Sequence, residues 1–354
     1  MDVTLIANEF SEESGHGIAR YSNILLEELR KQINIEKVEL KPAQKLIRMP
    51  IIKNILIKNY YFTFKKGLLR NKNIHLLEPI LMPKFLSLPG KKIVTVHDLY
   101  RFNNDFIRTA GEGYKGFYKI GAKILAKSYF RSDKLIYNSL KYYDHIFVIN
   151  EKLIDELASR FNIDKNKISV TYDPVSKKFK SMPDLKEKTK KVIGYINGFG
   201  QNKIIKLIKF IDEFKKMKDS GLELRIYGSK FPLTKLINND KRIKYLGFLP
   251  EKDIVKTYNS FNVYLSTSTV EGFGLPIMQA KACKVPVLCY DGDMPEIVKR
   301  NTLIWNDNNL EEILKNRAWE KIDVERAYLD AEECRLDKIV TKIIKIYEKT
   351  FNSK

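Results

Sequence analysis

The stretch Thr267-Ser268-Thr269-Val270-Glu271-Gly272-Phe273-Gly274-Leu275-Pro276 combines an acid, hydroxyls, two glycines and a helix-starting proline. It follows a short apolar run, Val263–Ser266, and precedes a helical one, Leu275–Ala282. Glycines at 272 and 274 carry no Cβ, so backbone there can approach a ligand closely. Pro276 suits the first turn of a helix. The free N–H groups of that turn and the positive end of the helix dipole favour an anion. Glu271 stands at the carboxyl end of a strand, where open α/β sheets bind ligands. Gln279 lies two turns further on. The chemistry this spacing offers is a phosphate cradle flanked by two groups able to bind hydroxyls.

Such a loop needs a sheet beneath it, and the chain supplies alternating strand and helix patterns. Val3–Asn8, Lys92–Asp98, His145–Asn150 and Lys167–Tyr172 read as buried strands. Ile18–Lys31, Tyr118–Tyr129 and Glu151–Phe161 have helical spacing between them. Ser176–Lys190 is polar and lysine-rich, and reads as a linker. The alternation restarts with Val192–Asn197, Asn202–Met217, Leu222–Tyr227, Ile243–Leu246, Glu251–Tyr258, Val263–Ser266, Leu275–Ala282 and Val285–Tyr290. Alternation of this kind predicts α/β units with parallel sheets covered by helices. The restart predicts two of them, residues 1–180 and 191–330. A last helix, Cys334–Tyr347, lies in a tail (331–354) expected to return to the first domain. A chain of 354 residues accommodates two domains.

Composition narrows the class. The 44% hydrophobic content suffices for two cores, and no run is long enough to span a bilayer. Val3–Ala7 follows an acidic Asp2, unlike the basic start of a secretory signal, so a cytoplasmic location is expected. Cys283, Cys289 and Cys334 have no CxxC spacing and the four histidines are scattered, which argues against structural zinc. A net charge of +21 favours anionic partners without choosing among them. A nucleic-acid role would rest on that charge alone, and none is expected. Leu40–Leu77 has no Asp or Glu but nine lysines and arginines interleaved with aliphatic and aromatic residues. This is the makeup of an element able to lie on anionic lipid, which would make the protein peripheral on the inner membrane face. The bland alternative is a helix packed on its own sheet.

The segment Glu271–Pro286, EGFGLPIMQAKACKVP, resembles the signature of retaining GT-B glycosyltransferases of family 4, in which a Glu is followed eight positions later by a second Glu. Four further segments are similar in the same order: Ser14–Arg20, with Gly15 and Gly17, to the glycine loop after the first strand; Thr95–Leu99, with His97, to a strand-end HD; Gly198–Lys203 to the diphosphate loop; and Pro295-Glu296-Ile297 to the PEI that follows the signature. The sequence departs from the pattern twice. Gln279 replaces the second acid, and Asn202 replaces an arginine before Lys203, which puts donor affinity rather than reaction type in question.

The resemblance implies two Rossmann-like domains facing a cleft, and transfer of a sugar from a nucleotide diphosphate sugar with retained anomeric configuration. Glu271 and His97 would contact the donor sugar as catalytic residues. Gly198, Gly200, Lys203, Phe273, Gly274, Leu275 and Gln279 would bind the donor, with Gln279 on the ribose. Gly15 and Gly17 would line the acceptor side, for a glycan or a lipid-linked acceptor. No cofactor and no metal are implied. Asp291-Gly292-Asp293 resembles a metal-binding DxD, but it lies where the family has only a connecting loop. The alternatives left open are another GT-B-fold enzyme, an epimerase or phosphorylase, and a non-catalytic partner subunit. A nicotinamide dehydrogenase would want GxGxxG after the first strand, and Ser14–Arg20 has only one close glycine pair.

Overall fold

The computed structural model describes residues 1–11, 17–40, 73–99, 102, 117–198, 201–228, 234–237 and 240–352. The chain divides into two compact units, Met1–Tyr172 with Ile339–Lys354, and Asp173–Lys338. Among the described residues each unit contains one six-stranded sheet, and every strand pairing is parallel.

In the first unit the strands are β1 (Asp2–Ala7), β2 (Asn34–Glu39), β3 (Ile74–Leu76), β4 (Lys92–Val96), β5 (His145–Val148) and β6 (Ile168–Val170), in spatial order β2-β1-β3-β4-β5-β6. β1, β3, β4 and β5 are almost wholly buried, as strands covered on both faces should be. The helix Gly17–Leu29 buries Ser22, Leu25, Leu26 and Leu29, one stripe at helical spacing. Lys152–Phe161 does the same with Leu153, Leu157 and Phe161, and ends at Asn162 in the left-handed region (φ 52°). The helix predicted over Tyr118–Tyr129 runs over Phe117–Tyr137.

The segment Leu40–Leu77 read as a basic surface element ends differently. Ile74–Leu76 is β3, paired to β1 and β4, with His75 wholly buried. Its charge-free apolar stretch belongs to the core and leaves no lysine on that part of the chain. Residues 41–72 lie outside the described residues, as does Gly15.

The second unit comprises β7 (Lys191–Ile196), β8 (Leu222–Tyr227), β9 (Ile243–Gly247), β10 (Val263–Ser266), β11 (Val287–Tyr290) and β12 (Leu303–Trp305), in order β12-β11-β10-β7-β8-β9. The chain winds outward from β7 in one direction, then returns to β10 on its other side. That reversal places a topological switch point, the usual ligand crevice of such sheets, between the carboxyl ends of β7 and β10. The helix Gln201–Lys216 seals one face with Leu207, Phe210, Ile211 and Phe214, all fully buried. Truncating one such aromatic to Ala typically costs about 3–5 kcal/mol. Trp305 closes the core and donates its indole N–H to the Ser266 carbonyl at 3.1 Å. Gly194 on β7 is a close-packing position, because a Cβ there would sit 2.2 Å from the Phe261 ring.

The predicted linker, Ser176–Lys190, packs into the second unit. Val175 and Phe179 are buried, Arg335 donates to the carbonyls of Ser176 (3.0 Å) and Phe179 (3.1 Å), and the Met182 N–H donates to Asn259 at 2.6 Å. The tail helix spans Leu336–Phe351, and from Ile339 onward it belongs to the first unit. There Tyr347 is hydrogen-bonded to His75 Nδ1 at 2.5 Å.

Candidate functional site

The second unit gathers its polar groups at the β7/β10 switch point. After β7 the chain passes Asn197 and Gly198 and enters the helix carrying Lys203. After β10 it passes Thr267–Glu271 and enters the helix Leu275–Ala282. Lys203 Nζ lies 2.8 Å from Glu271 Oε1 and 2.8 Å from Asn197 Oδ1. Ser268 Oγ donates to Glu271 Oε1 at 2.7 Å. Both charged side chains are mostly covered, with 17% and 19% of their surface exposed, so their attraction is screened less than that of a surface pair. Sequence reasoning missed Ser268 and Asn197. Their short polar side chains at strand exits were the available signal.

The backbone around this pair is fixed from below. Tyr195 and Tyr264 donate their hydroxyls to the carbonyls of Gly198 (2.9 Å) and Ile196 (3.1 Å). Burial pushes both phenols upward, so they stay protonated donors. Gly198 has open space where a side chain would stand, which leaves its backbone approachable. Gly200 lies outside the described residues. Gly274 caps the following helix at φ +97°, a conformation that favours glycine. No backbone acceptor is recorded among the described residues for the N–H groups of Gly274 and Leu275, the first of the helix Leu275–Ala282.

Two further positions turn inward. Phe273 is 3% exposed and anchors the loop. Gln279 is 6% exposed and accepts a hydrogen bond from the Tyr258 hydroxyl at 3.3 Å. In the DxD segment, Asp291 pairs with Lys299 at 3.0 Å. The backbone of Asp293 brackets the site loop, its N–H donating to Thr269 and its carbonyl accepting from Glu271.

In the first unit, His97 leaves the end of β4 and lines a pocket of about 250 Å³ with Asn8, Ile18, Glu78, Asp98 and Asp133. His97 Nε2 faces the Leu77 carbonyl at 3.1 Å, which makes that nitrogen the donor and leaves Nδ1 as an acceptor in the neutral ring. The ring stands edge-on to Tyr21 at 4.9 Å. Glu78, at the exit of β3, accepts from the Asn8 backbone N–H (2.9 Å) and side-chain amide (2.6 Å). Burial raises the Glu78 carboxyl above the usual range, and the Asn8 hydrogen bonds and His97 partly oppose that. Asn8 and Glu78 thus bridge the two strand ends at the β1/β3 switch point of this sheet. Neither was singled out from sequence. Gly17 begins the helix Gly17–Leu29 with open space around its α-carbon.

Two units with parallel sheets of this winding have the architecture of the GT-B fold, two Rossmann-like domains in one chain. Residues 176–317, within the second unit, match the family described as Glycosyl transferases group 1. Among curated relatives, the chain is 31% identical over 114 residues to the O-antigen chain mannosyltransferase B of Escherichia coli, covering 30% of each chain. It is 32% identical over 130 residues to the poly(ribitol-phosphate) alpha-N-acetylglucosaminyltransferase of Staphylococcus aureus (strain COL), covering 34% of this chain and 26% of that protein. The matched regions therefore span about 30% or less of the length of these relatives. Among solved structures, the sucrose-phosphate synthase of Thermosynechococcus elongatus is similar over 100% of both chains, with a TM-score of 0.72 at 15% identity. Anabaena HepE in complex with UDP and glucose is similar over 99% of this chain and 100% of that one, with a TM-score of 0.67 at 13% identity. Among the described residues no helix is long and apolar enough to cross a membrane.

Proposed function

We propose that this protein is a retaining glycosyltransferase that moves a sugar from a nucleotide diphosphate sugar to a glycan or lipid-linked acceptor. The observation that carries the reading is the Lys203–Glu271 pair at the switch point of the unit that matches glycosyl transferases group 1. Lys203 and the backbone N–H groups at the start of the helix Leu275–Ala282 meet the charge that develops on the departing diphosphate. The donor phosphates draw Lys203 toward themselves, and Glu271, still held by Ser268, accepts hydrogen bonds from the sugar hydroxyls. Those bonds orient the sugar while positive charge builds at its anomeric carbon. The chain's own cations serve the diphosphate, and the reading assigns no metal and no cofactor. Gln279 serves the ribose by an amide, with Tyr258 holding its carbonyl oxygen.

In the first unit the acceptor enters the pocket of Asn8, Glu78 and Asp98, whose polar side chains meet its hydroxyls, while His97, lining the same pocket, keeps the role toward the donor sugar that the resemblance implies. The relatives named for an O-antigen chain and for poly(ribitol-phosphate) support a growing polymer as acceptor. The basic run through residues 41–72 is proposed to hold the protein on anionic lipid. Flotation with anionic liposomes tests that part: binding that falls with salt, and with Lys53, Lys58, Lys65 and Lys66 changed to Glu, supports it. Protein left in the soluble fraction at low salt refutes it. The transferase reading is tested by incubating the protein with UDP-, GDP- and ADP-sugars and following release of the nucleoside diphosphate, with Glu271→Ala as control.

A further inference from the structure

Asn202, read from the sequence as the loss of a phosphate-binding charge, directly precedes Lys203 at the start of the helix Gln201–Lys216. Its contacts in this chain point elsewhere. Asn202 Nδ2 donates to the Val270 carbonyl at 3.1 Å. Its backbone carbonyl accepts from the Thr269 N–H at 2.9 Å and from the Thr269 hydroxyl at 3.2 Å. One residue on, the Lys203 carbonyl accepts from the Thr267 hydroxyl at 3.0 Å. The opposite side of the same loop is closed by backbone. Asp293 exchanges hydrogen bonds with Thr269 and Glu271, and Gly292 lies so close that a Cβ there would fall 2.6 Å from the Ser268 carbonyl. The loop is therefore gripped between the start of the helix Gln201–Lys216 and the Gly292–Asp293 strand exit. Val270, the residue held by the Asn202 side chain, immediately precedes Glu271.

We propose that Asn202 is a positioning residue for Glu271 and not a weakened phosphate ligand. It ties the lysine-bearing helix to the carboxylate-bearing loop, so that Lys203 and Glu271 share one rigid frame, and it leaves the diphosphate charge to Lys203. An amide suits this tie by length. Its nitrogen reaches the neighbouring loop's carbonyl, whereas an arginine arm several bonds longer carries its guanidinium past Val270. What Glu271 does for the substrate rests on the transferase reading. The tie itself does not.

The test compares Asn202→Ala, Asn202→Arg and Lys203→Ala with the unaltered chain in three measurements: calorimetric affinity for UDP, GDP and ADP, steady-state transfer, and hydrogen exchange of the segment 267–272. The proposal expects Asn202→Ala to keep nucleoside diphosphate affinity within about twofold, to lose at least tenfold in kcat, and to exchange faster over 267–272. Lys203→Ala loses affinity instead, and Asn202→Arg gains none. Should Asn202→Ala fail to fold, Asn202→Ser, too short to reach Val270, repeats the comparison. The proposal is overturned if removal of the amide weakens the diphosphate as much as loss of Lys203 does. It is equally overturned if Asn202→Arg tightens the diphosphate tenfold, or if kcat and exchange stay unchanged. Should the unaltered chain bind no nucleoside diphosphate, the transferase reading fails by itself. Exchange over 267–272 then decides the tie, faster in Asn202→Ala if it exists and unchanged if it does not.

Discussion

Lys203 and Glu271 leave different strands, β7 and β10, yet their charged atoms meet at 2.8 Å. Each is also fastened by a neutral neighbour, Asn197 on the lysine and Ser268 on the carboxylate. A cation and a carboxylate are therefore delivered to one point by the winding of the sheet.

The two residues act as a unit, so their removal is non-additive. Glu271→Ala is expected to lower kcat/KM by about a hundredfold or more, on the scale of losing one electrostatic contact to the transition state. In a double-mutant cycle with Lys203→Ala, the summed single losses exceed the double loss by more than the roughly 0.5 kcal/mol expected of independent sites. Simple additivity would mean that the pair is a surface contact without a shared task.

Ser268→Ala should leave nucleoside diphosphate affinity nearly unchanged and lower kcat by roughly tenfold, the worth of one hydrogen bond to a charged group. Ser268→Thr, which keeps the hydroxyl, should recover most of the rate. Equal rates in all three proteins would remove Ser268 from the account.

Gly194→Ala tests the scaffold under the site. The added methyl meets the buried Phe261 ring at 2.2 Å, and β7 is paired on both sides by β8 and β10. Overpacking of this kind costs about 1–3 kcal/mol, which denaturant titration reads as a lower midpoint at unchanged slope. A wild-type midpoint would show that the ring moves aside freely.

His75 makes stability pH-dependent. Burial, with the neighbouring His97 and His145, lowers its pKa to about 3, while both ring nitrogens are engaged with Tyr347 and Thr95. The unfolded chain binds a proton near pH 6.5 and the folded one does not, so the unfolded state holds more protons between those values. Stability is therefore full above pH 6.5 and falls as the pH drops toward 3. Replacing His75 by Gln should flatten the pH dependence of the denaturation midpoint between pH 6.5 and 4, whatever it costs at pH 7. An unchanged slope would assign acid sensitivity to other groups.

Much of this organisation is legible in the residues. Strands such as Leu222–Tyr227 and Val263–Ser266 and the helix Leu275–Ala282 fall where their patterns place them, because each is a buried run bounded by turn residues. β2, β3 and β12 were not legible. β2 is half exposed and carries Glu36, Lys37 and Glu39, while β3 and β12 are only three residues long. The glutamate and the lysine of the site could be named from local motifs, but Glu78 and Asn8 could not. They lie seventy positions apart and become neighbours only through the pairing of β1 with β3. Asn202 looked like a lost charge in the sequence, and only the Val270 contact shows the amide in use.

The central claim is that Lys203 holds the diphosphate of a nucleotide-sugar donor at the β7/β10 switch point. Calorimetric titration of the unaltered protein and of Lys203→Ala with UDP, GDP and ADP tests it most directly. The account predicts that one of these nucleotides binds the unaltered protein and binds Lys203→Ala about ten- to a hundredfold more weakly, as loss of a charge-assisted contact requires. Equal affinity in the two proteins, or no binding of any of the three, would contradict it.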